Sequence, residues 1–76
     1  MSNHTYDARG LICPLPVLKA RKILLSLPAG AALTVSVTDS HAPKDFELFC
    51  AEAGYALKGI TPNDGGFDIT IVKAAA

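Results

Sequence analysis

Between residues 14 and 27 apolar side chains recur every three or four positions, at Val17, Ala20, Leu24 and Leu27, with Lys19, Lys22 and Ser26 on the other side. That period is one face of an amphipathic helix, which Pro28-Ala29-Gly30 ends. The period then shortens to two. Leu33-Thr34-Val35-Ser36-Val37-Thr38 alternates strictly apolar and polar, the pattern of a strand with one buried and one wetter face, so the sheet is expected to be covered on one side only. A helical period returns at Phe46, Phe49, Cys50 and Ala53, in a helix beginning near Pro43. Asp39 or Ser40 is placed to cap it, Asp45 adds an acid to its first turn, and Gly54 supplies a stop. Residues 55–61 and 67–73 read as two strands joined by the turn-rich Pro62-Asn63-Asp64-Gly65-Gly66, with Phe67, Ile69 and Ile71 pointing one way.

A short first strand around His4 to Ala8 completes the order β-α-β-α-β-β. Right-handed crossovers put both helices on the same face when the strand order steps out and then back. The expected fold is therefore α/β of the α+β kind: a two-layer sandwich of two helices on one face of a mixed four-stranded sheet. Seventy-six residues make one small domain with little surplus stability, and the Ala74-Ala75-Ala76 tail is expected to fray.

Charge adds a polarity to this outline. Arg9, Lys19, Arg21 and Lys22 face only Asp7 in the first 38 residues, while the rest of the chain holds the other six of seven acids. Such a dipole suits docking to a charged partner, but the basic set is too small for general nucleic-acid binding. Arg9, Lys19, Arg21, Lys22 and Lys44 are the candidate partner-binding cations, acting by steering an acidic surface. The N-terminus has no basic stretch followed by an apolar region, and no apolar run approaches bilayer length, which places the protein in the cytoplasm away from membranes. His4 and His41 lack a second ligand at useful spacing, so no metal is expected.

Candidate chemistry is concentrated in Cys13-Pro14-Leu15-Pro16. Proline suits the first helical turn, so the cysteine falls at or beside the helix N-cap. There the positive end of the helix dipole and the free N–H groups of Leu15 and Val17 favour a thiolate, the reactive form, over the thiol. The site also falls where the first strand hands over to the first helix, the edge at which open α/β sheets present their sites. Pro14 and Pro16 stiffen the turn and direct the thiol. Cys50, on the apolar stripe of the second helix, reads as core. Two distant cysteines form neither a C-x-x-C pair nor a disulfide framework, consistent with a reducing compartment.

From Asp7-Ala8-Arg9-Gly10-Leu11-Ile12 through Cys-Pro-x-Pro, the chain resembles the TusA-like (SirA-like) family of small sulfur-carrier proteins. The likeness continues through Arg21-Lys22, Gly30, Val37-Thr38-Asp39, Asp45 and Phe49-Cys50. It implies the same β-α-β-α-β-β fold and a persulfide carried on Cys13, with Gly10, Leu11, Pro14 and Pro16 as supporting motif residues and no cofactor beyond that covalent sulfur. A cysteine desulfurase or rhodanese-like protein would load the sulfur and a later relay protein would accept it, in tRNA thiolation, molybdenum-cofactor metabolism or sulfur oxidation. Such a protein is a sulfurtransferase-type carrier, expected to be monomeric, rather than an enzyme with independent turnover. Leu15 makes the lip of the site apolar rather than acidic.

Two other function classes compete. In a thiol-redox protein Cys13 would form a sulfenate or pair with Cys50, but no resolving cysteine is near it in sequence. In a regulatory or RNA- or protein-binding module the basic first helix would make the contacts and the thiol would be incidental.

Overall fold

The alternating segment forms the centre of the sheet. Strand β2 (Ala32–Val37) buries Leu33, Val35 and Val37 completely, while Thr34 and Ser36 on its other face stay half-buried. In the computed structural model, which describes residues 3–12 and 14–73, the elements in order are β1 (Asn3–Asp7), α1 (Leu15–Ser26), β2, α2 (Ala42–Ala53), β3 (Ala56–Asn63) and β4 (Gly66–Val72). Cys13 and the tail expected to fray lie outside the described residues.

The sheet order is β1-β2-β4-β3, with β1 parallel to β2 and β4 antiparallel to both β2 and β3. β4 thus inserts between β2 and β3, the step out and back that lets both helices share one face. Ala20 and Leu24 of α1 pack with Ala42, Phe46 and Cys50 of α2 and with Leu33, Val35, Val37, Ile69 and Ile71 of the sheet in one buried cluster. The opposite face is polar and hydrogen-bonded. Thr34 Oγ1 and Thr70 Oγ1 lie 3.2 Å apart, and Asp68 Oδ1 accepts from Ser36 Oγ at 2.7 Å and Asn63 Nδ2 at 2.6 Å. Those two bonds hold the Asp68 carboxyl below its ordinary pKa.

Several element details differ from expectation. The first helix spans Leu15–Ser26 rather than 14–27, because Pro14 occupies the cap position and Leu27 is already extended. Pro16, outside the expected apolar stripe, is fully buried, while Ala53, inside it, is exposed at the last turn of α2. At the start of α2 the Asp39 carboxylate accepts from His41 N–H at 2.9 Å, although His41 rather than Asp39 or Ser40 is the cap residue. Gly54 takes φ +80° at the α2 C-terminus, as expected of a stop. The expected turn 62–66 shrinks to Asp64 and Gly65, because Pro62 and Asn63 continue β3 opposite Phe67 and Gly66. A proline is tolerated there because β3 is an edge strand. A register shift between Leu57 and Gly59 sets Lys58 aside as an extra residue, so both Leu57 and Ile60 reach the core.

One tertiary contact closes α1 at its C-terminus. Lys73 Nζ donates to the carbonyls of Leu27 at 2.7 Å and Leu24 at 2.8 Å, with Leu25 at 3.5 Å. A cation at this end meets the negative pole of the helix and adds a donor to its last carbonyls, of which Leu24 O also accepts from Leu27 N–H at 3.2 Å. Lys73→Met is expected to cost about 1 to 2 kcal/mol and lower Tm by several degrees in a thermal melt. An unchanged Tm would show that water satisfies those carbonyls as well as the ammonium does.

Candidate functional site

The approach to the Cys-Pro-Leu-Pro run is built by a tight turn at the end of β1. Ala8, fully buried, donates from its N–H to Ser36 O at 2.8 Å, and its own carbonyl accepts from Leu11 N–H at 3.2 Å. The turn needs a positive φ at its third residue, which Gly10 supplies at +85°. Leu11 then packs against the core, and Ile12 turns outward with 73% of its surface exposed. Gly10 is thus the turn residue and Leu11 its contact with the core.

Beyond this turn α1 starts with Pro14 at the cap position and Pro16 in the first turn, where a missing N–H is no loss. Pro16 is buried and fixes the helix start to the core, while Pro14 is exposed. The expectation of a free Leu15 N–H is corrected: it donates to Ile12 O at 3.0 Å. The first turn carries no acidic residue and its cap makes no side-chain hydrogen bond. No side chain of α1 thus neutralises the positive helix end, and an anion placed just before it is favoured.

A groove of about 510 Å³ opens between the helices beside Pro14. Val17 and Leu18 of α1 and Leu48, Phe49 and Ala53 of α2 make it largely apolar, with Arg21 on one wall and Asp45 and Glu52 on the other. Leu18 and Leu48 are 51% and 57% exposed, which is high for large apolar side chains, and Ile12 and Leu15, on either side of Cys13-Pro14 in sequence, are exposed as well. Sequence periodicity missed this surface. The available signal was that Leu18 and Leu25 lie off the core stripe of α1 yet are leucines, and the same is true of Leu48 on α2.

The five candidate cations do not form one patch. Arg21 lines the groove, Lys19 and Lys22 lie exposed on α1, and Lys44 lies exposed in the first turn of α2. None of these four makes an ion pair among the described residues. Arg9 is set apart: its Nε meets Asp7 Oδ1 at 3.0 Å and its field reaches Asp68 on the open face of the sheet. The Asp7 carboxyl is held below its ordinary pKa by hydrogen bonds from Arg9. No group of three or more metal-ligating side chains occurs among the described residues. None of the described helices is long and apolar enough to cross a membrane.

Cys50, the second thiol, is 3% exposed on the core side of α2, and burial pushes its pKa up. It is expected to react with iodoacetamide about a hundred-fold more slowly in the native protein than after unfolding, since reaction requires opening of the core. Equal rates would place it at the surface. Because its folded pKa is raised, its contribution to stability is present below the unfolded pKa and is lost as pH rises through the folded value.

A small α+β domain with two helices on one face of a mixed sheet, its first helix opened by Pro14 and Pro16 beside an apolar groove, is the class these features define. The chain belongs to the TusA family: the family model described as sulfurtransferase TusA matches residues 4–73. A protein of Neisseria meningitidis is 44% identical over 71 residues, which are 93% of this chain and 96% of that one. Sulfur carrier protein TusA of Allochromatium vinosum is 40% identical over 68 residues, covering 90% of each chain. Among solved structures, the SirA-like protein of Desulfitobacterium hafniense superposes with a TM-score of 0.83 at 32% identity, covering 95% of this chain and 99% of that one.

Proposed function

We propose that this protein is a sulfur carrier that works through Cys13. The Cys13 thiolate attacks the outer sulfur of a donor's persulfide; a new S–S bond forms as the donor's S–S bond breaks, and the donor leaves as its thiolate. Sulfur then rests on Cys13 as Cys–S–S⁻ until an acceptor thiolate attacks the outer sulfur and Cys13 leaves in turn. No net oxidation occurs, so no redox cofactor is needed. The observation that carries this reading is an α1 N-terminus, starting at Pro14 directly after Cys13 in sequence, with no acidic residue or side-chain cap, in a chain of the TusA family. Such an end stabilises the thiolate and the persulfide anion alike.

The donor in this reading is a cysteine desulfurase or rhodanese-like protein and the acceptor a downstream relay protein, both met by a monomeric carrier in the cytoplasm. The apolar lip of Ile12, Leu15 and Leu18 beside Arg21, with Lys19 and Lys22 next to it, suits a partner surface that is apolar at its centre and acidic at its rim. Lys44 adds to that field from α2, whereas Arg9 is engaged by Asp7.

The test incubates the reduced protein with a desulfurase and cysteine, or a rhodanese and thiosulfate, and follows intact mass before and after dithiothreitol. A reducible gain of one sulfur (~32 Da) is expected on the thiolate of the tryptic peptide 10–19, which holds Cys13, and not on peptide 45–58, which holds Cys50. No gain from either donor would overturn the reading and favour a binding module with an incidental thiol.

A further inference from the structure

We propose that Thr38 is a positioning residue for sulfur transfer, its hydroxyl holding the turn that leads to Cys13; this rests on the carrier reading above. The evidence lies in how the β1–β2 ladder ends. In a parallel pair, N–H groups two residues apart on one strand reach carbonyls two residues apart on the other. Ala8 N–H obeys this rule with Ser36 O at 2.8 Å, so the next rung would join Gly10 N–H to the Thr38 carbonyl. It does not form, because the chain has already bent away at the Ala8–Leu11 turn with Gly10 at φ +85°. Gly10 N–H instead donates to the Thr38 side chain, Oγ1, at 2.9 Å.

Among the described residues this is the hydrogen bond that ties Gly10–Ile12 to another element. The other two are local: Leu11 N–H to Ala8 O, and Leu15 N–H to Ile12 O. Gly10, three residues before Cys13 in sequence, is therefore held by the Thr38 hydroxyl, and Ile12 by the first residue of α1. Both partners are exposed, so water can replace the bond without leaving a buried group unsatisfied. Folding has little use for the hydroxyl, whereas a thiol that must meet a partner's persulfide in line depends on a fixed approach.

Thr38→Val keeps the shape and removes the acceptor; Thr38→Ser keeps the acceptor. Three quantities are measured on each: Tm, the pH profile of Cys13 alkylation by iodoacetamide resolved by peptide, and the rate of sulfur loading from a desulfurase with cysteine. For Thr38→Val the alkylation midpoint is expected to move to higher pH and loading to slow about ten-fold, with Tm close to wild type. Thr38→Ser is expected to restore both. A valine variant with the wild-type profile and loading rate overturns the proposal, as does a folded serine variant no better than valine. If valine lowers Tm substantially, the serine variant decides by the same criterion. Wild-type protein that takes no sulfur sinks the carrier reading and this inference with it, whereas loading that is normal in wild type and in both variants sinks only the role of Thr38.

Discussion

Cys13→Ser is expected to abolish sulfur loading completely: no reducible mass gain from either donor, against one sulfur on wild type. Serine matches cysteine in shape, but its hydroxyl stays protonated at neutral pH even beside a helix N-terminus, and oxygen does not form a persulfide. The remaining thiol cannot substitute. Cys50 is buried beneath α2 among core residues, and its raised pKa leaves it protonated. The variant should fold normally, which circular dichroism and a thermal melt would show, because the turn before position 13 is held by Ala8, Gly10 and Leu11 rather than by the thiol. A Cys13→Ser protein that still gained a reducible sulfur would move the chemistry to Cys50 and require α2 to open.

Gly66→Ala is expected to destabilise the fold by about 2 to 4 kcal/mol, a large part of the stability of so small a domain. A Cβ at this position would run into the backbone carbonyl of Val37, with Val37 C at 2.9 Å and Thr38 Cα at 3.0 Å. These are main-chain atoms at the end of paired strand β2 and just beyond it, so no side chain can swing away to make room. Gly65 is the control. Its φ of +76° makes alanine strained, yet nothing lies within 4 Å of a Cβ there, so Gly65→Ala should cost only about 1 kcal/mol. Urea unfolding of the two variants would separate them; equal costs would show that strain in the turn, rather than the approach to β2, governs this hairpin. The Gly66 clash falls on Val37 and Thr38, the end of β2 that receives Gly10. Any Gly66→Ala protein that remains folded should therefore also load sulfur more slowly.

Much of the architecture was legible because each segment's hydrophobic period matches its final environment. Leu33, Val35 and Val37 alternate, and all three are buried on one face of β2. Phe46 and Cys50 recur four residues apart and face the sheet together. Errors fell where a local rule met a tertiary one. Pro62 reads as turn chemistry, yet it lies in a strand because that strand is at the sheet edge. Ala53 keeps the helical period, but α2 ends there and leaves it exposed. The cations of the first half read as one group on charge alone, whereas folding ties Arg9 to Asp7 and places Arg21 in the groove.

By itself the chain order specified the element types, the single-sided sheet, the helix start at Pro14-Leu15-Pro16 and the core position of Cys50. These depend on neighbours in sequence and on which side chains must leave water. Tertiary structure alone decided the β1-β2-β4-β3 order, the apolar groove between α1 and α2, the Lys73 cap on α1 and the hold of Thr38 on Gly10. Each of these joins residues from separate elements, 28 apart for Gly10 and Thr38 and 46 apart for Lys73 and Leu27. No local period encodes such a contact, because it exists only once the strands have paired and the helices have packed.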